Sequence, residues 1–110
     1  MKCTKTSSAT IVEPKKQSIT EIFTDFKIIY DDIATNNIIL NLSHLENINN
    51  KNLSLFSKLI KKHKKNKKSF VLIVNETYLN KLSDEITAAP TLTEAKDLVE
   101  MEEIERDLGF

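Results

Sequence analysis

Glycine is almost missing from this chain. Gly109 is the one glycine among 110 residues, and it stands next to the end. Glycine-rich phosphate loops of the dinucleotide and P-loop kinds both need glycines around a tight turn, so neither is present. Cysteine is as scarce: a lone Cys3 excludes a disulfide framework and any cysteine zinc site. No apolar run reaches the ~18 residues of a membrane span. Met1-Lys2-Cys3-Thr4 has no apolar stretch behind it, so no signal peptide is expected and a cytoplasmic location is.

The residues that are present make an ordinary globular composition, 40% apolar and 29% charged. At 12.6 kDa, folding can bury about two-thirds of the extended chain's surface, enough for one core. One domain over residues 1–110 is therefore expected. Its charges sum to zero but are unevenly placed. Residues 1–74 hold 13 lysines against 6 acids, and residues 75–110 hold 10 acids against 3 bases. Such a dipole steers partners without identifying them. Lysine outnumbers arginine 15 to 1, and Asn and Ile are abundant. That pattern looks like an AT-rich coding sequence, which discounts lysine as a nucleic-acid signal.

The order of elements reads as β-β-α-β-α-β-α-β-α. Lys2–Ala9 and Thr10–Val12 predict two short strands, the second closed by Pro14. Ser18 predicts a helix N-cap with Glu21 as its capping-box partner. Ile19, Ile22, Phe23, Phe26, Ile29, Tyr30 and Ile33 then form one apolar stripe, with Ile28 opposite. Ile38–Leu42 and Phe70–Val74 are near-continuous apolar runs, as in strands buried on both faces. Between them, Leu45 and Ile48 read as anchors of a polar loop. A second helix there places Leu55, Phe56, Leu59 and Ile60 inward and ends in lysines. A short helix over Glu76–Leu82, with Tyr78, Leu79 and Leu82 inward, and a short strand over Glu85–Ala88 come next. Thr91, with Glu94 three residues on, caps a final helix over about residues 91–108. Strands alternating with helices predict an α/β domain: a mixed sheet of about five strands packed with about four helices.

This order resembles the STAS domain, the family named after sulfate transporters and anti-sigma factor antagonists. Ile38-Ile39-Leu40-Asn41-Leu42-Ser43-His44-Leu45 looks like the family's third strand, and Ser69–Val74 like its fourth. Pro90-Thr91-Leu92-Thr93-Glu94-Ala95 and Met101–Leu108 look like one branch of it. That branch comprises small stand-alone STAS-like proteins of Bacteroidota, often encoded beside ribonuclease Z and sometimes given that name. The resemblance implies a non-catalytic regulatory module that docks a protein such as an anti-sigma-like kinase, through the start of the second helix. Antagonists of the family carry the phosphorylated serine there, in an Asp-Ser-x-Gly motif. Here the aligned stretch is Asn49-Asn50-Lys51-Asn52, and Lys51 takes the serine's place. The nearest hydroxyl downstream is Ser54. The resemblance therefore implies the docking surface without its phosphorylation switch.

Enzyme chemistry finds little support in the residues. Ribonuclease Z proteins resemble metallo-β-lactamases and need a His-x-His-x-Asp-His cluster for two zinc ions. Here His44 and His63 stand alone, so no metal or other cofactor is expected. His63 lies on the apolar side of its helix. A partly covered histidine near a helix C-terminus, stabilised by the dipole, is preferred there over a general base. His44 follows a strand with no nucleophile beside it, and Asp31-Asp32 ends a helix as a solvated pair. Cys3 has no activating partner.

The run Lys61, Lys62, Lys64, Lys65, Lys67 and Lys68 offers phosphate binding, and with it a runner-up function. That alternative is an RNA-associated accessory of ribonuclease Z. No aromatic residue interleaves the run, so it reads instead as a solvated helix end, and nucleic acid is not the preferred partner.

The final helix carries the sharpest expectation. Leu92, Ala95 and Val99 share one face, which predicts packing on the sheet. Met101, Ile104 and Leu108 lie about half a turn away. They are candidates, with Asn49, Asn50, Lys51 and Asn52, for contacting a partner protein, or for a homodimer through this helix. The competing expectation is a kink or fraying after Val99 that lets the last turns fold back onto the core.

Overall fold

The aliphatic runs set the architecture. In a computed structural model describing residues 1–109, Ile38–Asn41 forms β3 and Phe70–Ile73 forms β4, paired in parallel with Leu40 opposite Leu72. Phe110, the last residue of the expected domain, lies outside the described residues. Strand β2 (Thr10–Glu13) runs parallel to β3 on its other side. Strand β5 (Thr87–Ala89) runs parallel to β4, and β1 (Lys2–Lys5) is antiparallel to β2. The sheet is mixed and ordered β1-β2-β3-β4-β5. The antiparallel edge strand is exposed throughout and carries Lys2 and Lys5, charges of the kind that discourage edge-to-edge pairing.

Alternation along the strands divides the core between two faces. Val12, Ile38, Leu40, Phe70 and Leu72 point to one side, joined by Leu42 and Val74 just past the strand ends. Helix α1 (Ile19–Ile33) lies there with Ile22, Phe26, Tyr30 and Ile33 inward and Ile28 exposed. The same side takes α2 (Asn50–Leu53), a 3-10 turn (Ser54–Phe56) and α3 (Ser57–Lys65). Leu45 and Ile48 anchor the preceding loop, and Tyr78, Leu79 and Leu82 pack from around α4 (Glu76–Leu79). Ile11, Ile39, Val71 and Ile73 point the opposite way, towards Ala95 and Val99 of α5 (Leu92–Asp107). This is the expected α/β domain, with β3 and β4 buried on both faces.

Side chains start the three main helical segments. Ser18, Asn49 and Thr91 each accept a backbone N–H three residues on, satisfying a donor that has no partner within the helix. Only Asn49 forms a reciprocal capping box among the described residues, with Asn52.

Six expectations need correcting. The short helix α4 ends at Leu79 rather than Leu82. Glu21 and Glu94 do not complete capping boxes, since only the Ser18 and Thr91 side chains bond there. The first strand stops at Lys5 rather than Ala9, because Thr6 turns the chain by bonding the Ala9 carbonyl through its hydroxyl. The second helix is interrupted by the 3-10 turn, which shifts its phase and leaves Leu55 exposed while Phe56 and Ile60 stay buried. The last strand is Thr87–Ala89 rather than Glu85–Ala88. Leu92 is exposed, because the contact face of α5 is centred near Ala95, and Leu98 packs at its edge instead.

Candidate functional site

Helix α5 is the most unusual surface element. It runs as one helix from Leu92 to Asp107, and its Met101, Ile104 and the following Leu108 stay exposed, so the last turns neither fray nor fold their apolar residues onto the core. Its first half approaches the sheet through Ala95 and Val99, both fully buried. The second half has no apolar residue facing inward; polar groups attach it. Asn37 and Ser69, both buried, stand at the starts of β3 and β4. The Asn37 Nδ2 donates to the Ser8 carbonyl (2.9 Å) and to Glu103, and Asn37 Oδ1 accepts from the Ser69 N–H at 2.8 Å. Ser69 donates its hydroxyl to Glu102 and accepts from Arg106 Nη1 at 3.2 Å. Glu102 and Arg106 also face each other at 3.9 Å.

With its inner side occupied in this way, α5 shows Met101, Ile104 and Leu108 to solvent, 55%, 59% and 66% exposed. The apolar side of the helix does flip, as the periodicity predicts.

The Asn49–Asn52 segment lies on the opposite face of the sheet, since α2 belongs with α1 and α3. Its asparagines are engaged within the fold. Asn49 and Asn52 close the capping box, and both amides also donate to the Asn47 carbonyl. Asn47 has φ 59°, a left-handed conformation that Asn tolerates. Asn50 reaches 31 residues along the chain to the Lys81 carbonyl and accepts the Ser83 N–H at 2.7 Å. Lys51 is exposed and stands where the resemblance puts the phosphoacceptor. Ser54, also exposed, donates its hydroxyl to the Lys51 carbonyl at 2.6 Å. A cavity of about 170 Å³ opens beside this segment, lined by Leu53, Ile60 and Ile86 among others.

The lysines of the run meet different partners. Lys61 pairs with Glu85 at 3.9 Å, and Lys64 donates to the Glu85 carbonyl and to Thr87, both at 3.1 Å. Lys62 lies over the Tyr30 ring. Lys67, at φ 64°, turns the chain into β4. Lys64, Lys67 and Lys68 border a cavity they share with Arg106, Glu102 and Glu105, so basic and acidic groups mix there. Lys65 is exposed.

His63 is covered more completely than expected. It is fully buried, and both ring nitrogens have partners. Nε2 lies 2.8 Å from the Asn36 carbonyl, which can only accept, so Nε2 carries the proton. Nδ1 then accepts from the Tyr30 hydroxyl at 2.7 Å. Burial pushes the imidazole below its ordinary value of 6.5, with the Lys68 charge adding and the Asn36 bond opposing. The ring is thus a neutral core group rather than the cation that a helix C-terminus would stabilise. Burial, with Asp31 nearby, raises Tyr30 above its ordinary 10.0. Tyr30 and Phe70 each meet the His63 ring edge to face, and Phe26 packs on Tyr30 at a tilt. The pair itself is almost wholly out of solvent, His63 at 0% and Tyr30 at 3% exposure.

The remaining candidates stay apart. His44 is exposed and bonds the Lys16 carbonyl at 2.9 Å. Cys3 is exposed on β1, and Asp31 and Asp32 are exposed at the end of α1. Among the described residues, no three His, Cys, Asp or Glu side chains come together as a metal site would need. No helix of the described residues is long and apolar enough to cross a membrane. The sequence matches no protein-family model, and a search of curated proteins finds no match either.

Proposed function

We propose that this protein is a non-catalytic interaction module of the cytoplasm, STAS-like in type, resembling an anti-sigma factor antagonist that has lost its phosphoacceptor serine. The observation that carries this reading is the exposed Met101–Ile104–Leu108 stripe on a helix whose inner side is already bound to the domain. Three large apolar side chains aligned on one face are the arrangement that partner proteins read from a helix. The α/β order and the strings around β3 and β4 support the family assignment. Lys51 at the phosphoacceptor position supports constitutive rather than phosphorylation-switched docking. The partner is a protein, an anti-sigma-like kinase or ribonuclease Z itself being the candidates that the resemblance suggests.

The test pairs a pull-down from native cytosol with the variant Ile104→Asp/Leu108→Asp. The variant should keep the melting temperature of the isolated chain within a few degrees and lose the captured protein. Capture that is indifferent to the variant, or a large loss of stability in a demonstrated monomer, overturns the reading.

A further inference from the structure

We infer that the occupant of the outer face of α5 is a basic amphipathic helix from another protein; this rests on the interaction-module reading above. At about 100° per residue from Leu92, Met101, Ile104 and Leu108 fall at about 180°, about 120° and about 160°. Glu100 and Asp107 flank them on one side, at about 80° and about 60°. Glu94 and Glu105 flank them on the other, at about 200° and about 220°. Asp97 continues the stripe at about 140°. All five acids are exposed, and no basic residue falls within this outer arc. Lys96 lies outside it, and Arg106 points inward to Ser69 and Asn37. Among the described residues, none of the five carboxylates takes part in a salt bridge. The chain's own lysines approach both flanks without pairing: Lys64, Lys67 and Lys68 border the same cavity as Glu105, and Lys96 stands one helical turn from Glu100.

The chemistry of the occupant follows from this surround. An apolar strip spanning about 10 Å, two turns of helix, fits apolar residues at i, i+3 or i+4 and i+7 of a partner helix. Carboxylates along both margins select Lys or Arg beside those residues and repel acidic segments. The same charges disfavour a second copy of this chain. A two-fold contact between two α5 helices would set each acidic margin against its duplicate.

The experiment uses the full chain and two synthetic helical peptides of ~18 residues, five turns long. One is built from Leu and Lys, the other from Leu and Glu in the same pattern. Titration calorimetry should give micromolar binding of the Leu/Lys peptide, weakening as salt rises, and none of the Leu/Glu peptide. Ile104→Asp/Leu108→Asp should weaken that binding about tenfold or more, although it adds two attracting charges. Asp97→Asn/Glu100→Gln/Glu105→Gln should weaken it too and flatten its salt dependence.

Three results overturn the inference: equal binding of the two peptides, unchanged binding by the Ile104/Leu108 variant, or a dimer of the chain alone that this variant dissociates. A native partner that is lost with Ile104→Asp/Leu108→Asp, while the Leu/Lys peptide fails to bind, refutes the basic occupant but leaves the interaction module standing. Loss of neither refutes both.

Discussion

Acid should weaken this protein through His63. The imidazole is fully buried, donates from Nε2 to Asn36 and accepts at Nδ1 from Tyr30. A second ring proton would have to enter at Nδ1. That forces the Tyr30 hydroxyl to reverse its role and places a charge out of water, with Lys68 nearby. The folded-state pKa is therefore below the unfolded value of about 6.5. Between those two values the unfolded chain binds more protons than the native one, so stability falls as pH falls. The contribution is complete above about pH 6.5 and diminishes below it until the folded-state pKa is passed. For one proton the steepest slope is about 1.4 kcal/mol per pH unit.

Urea unfolding from pH 8 to pH 5 measures this, with His63→Gln as the reference that cannot titrate. At pH 8 the variant should be less stable by about 1–3 kcal/mol, since it disturbs two buried hydrogen bonds. That gap should narrow on acidification, because the wild type alone carries the proton-linked loss. Carboxylates titrating in both proteins cancel in the difference. A gap that stays constant from pH 8 to pH 5, or a nuclear magnetic resonance titration placing His63 at or above 6.5, would refute the argument.

Two further predictions concern the core and the docking loop. Leu72→Ala empties a fully buried site opposite Leu40 and should cost about 2–5 kcal/mol in chemical unfolding; a loss under about 1 kcal/mol would contradict the strand assignment. Incubation with an anti-sigma-type kinase and ATP should leave residues 49–52 unmodified. Stoichiometric phosphate on Ser54 by mass spectrometry would mean that the switch has moved one turn along rather than vanished.

The strands β3 and β4, helix α1 and the two-sidedness of α5 were legible because each is written locally. Consecutive β-branched and aliphatic residues, a capping serine and a helical period need no knowledge of distant residues. The interruption at Ser54–Phe56 was not legible, because an apolar pattern continues through it and only the phase changes. Leu55 reads as inward for that reason. The role of the asparagines was hidden in another way. Asn49–Asn52 read as a docking motif by alignment, yet three of its side chains hold the fold together, and Asn50 does so across 31 residues. His63 and Tyr30 are 33 residues apart, and Asn37 and Ser69 are 32 apart. Periodicity says which side chains turn inward, but not which polar partners they meet there.

The exposed stripe on α5 is a consequence of the sequence rather than of one docking pose of the helix. Ala95 and Val99 need one side of the helix buried, while Met101, Ile104 and Leu108 need nearly the opposite side. A straight helix presents a single side to a sheet, so any rotation that covers one set uncovers the other. Turning Met101, Ile104 and Leu108 inward would expose Val99. It would also pull Glu102, Glu103 and Arg106 away from Asn37 and Ser69, leaving buried polar groups without partners. The observed orientation keeps the small residues in contact with the strands and lets a polar network, tolerant of a wetter margin, fasten the second half. What remains is an apolar strip that the domain cannot cover by itself, held on a helix fixed from its inner side. A surface fixed in that way loses less conformational freedom when a partner docks than a flexible tail would.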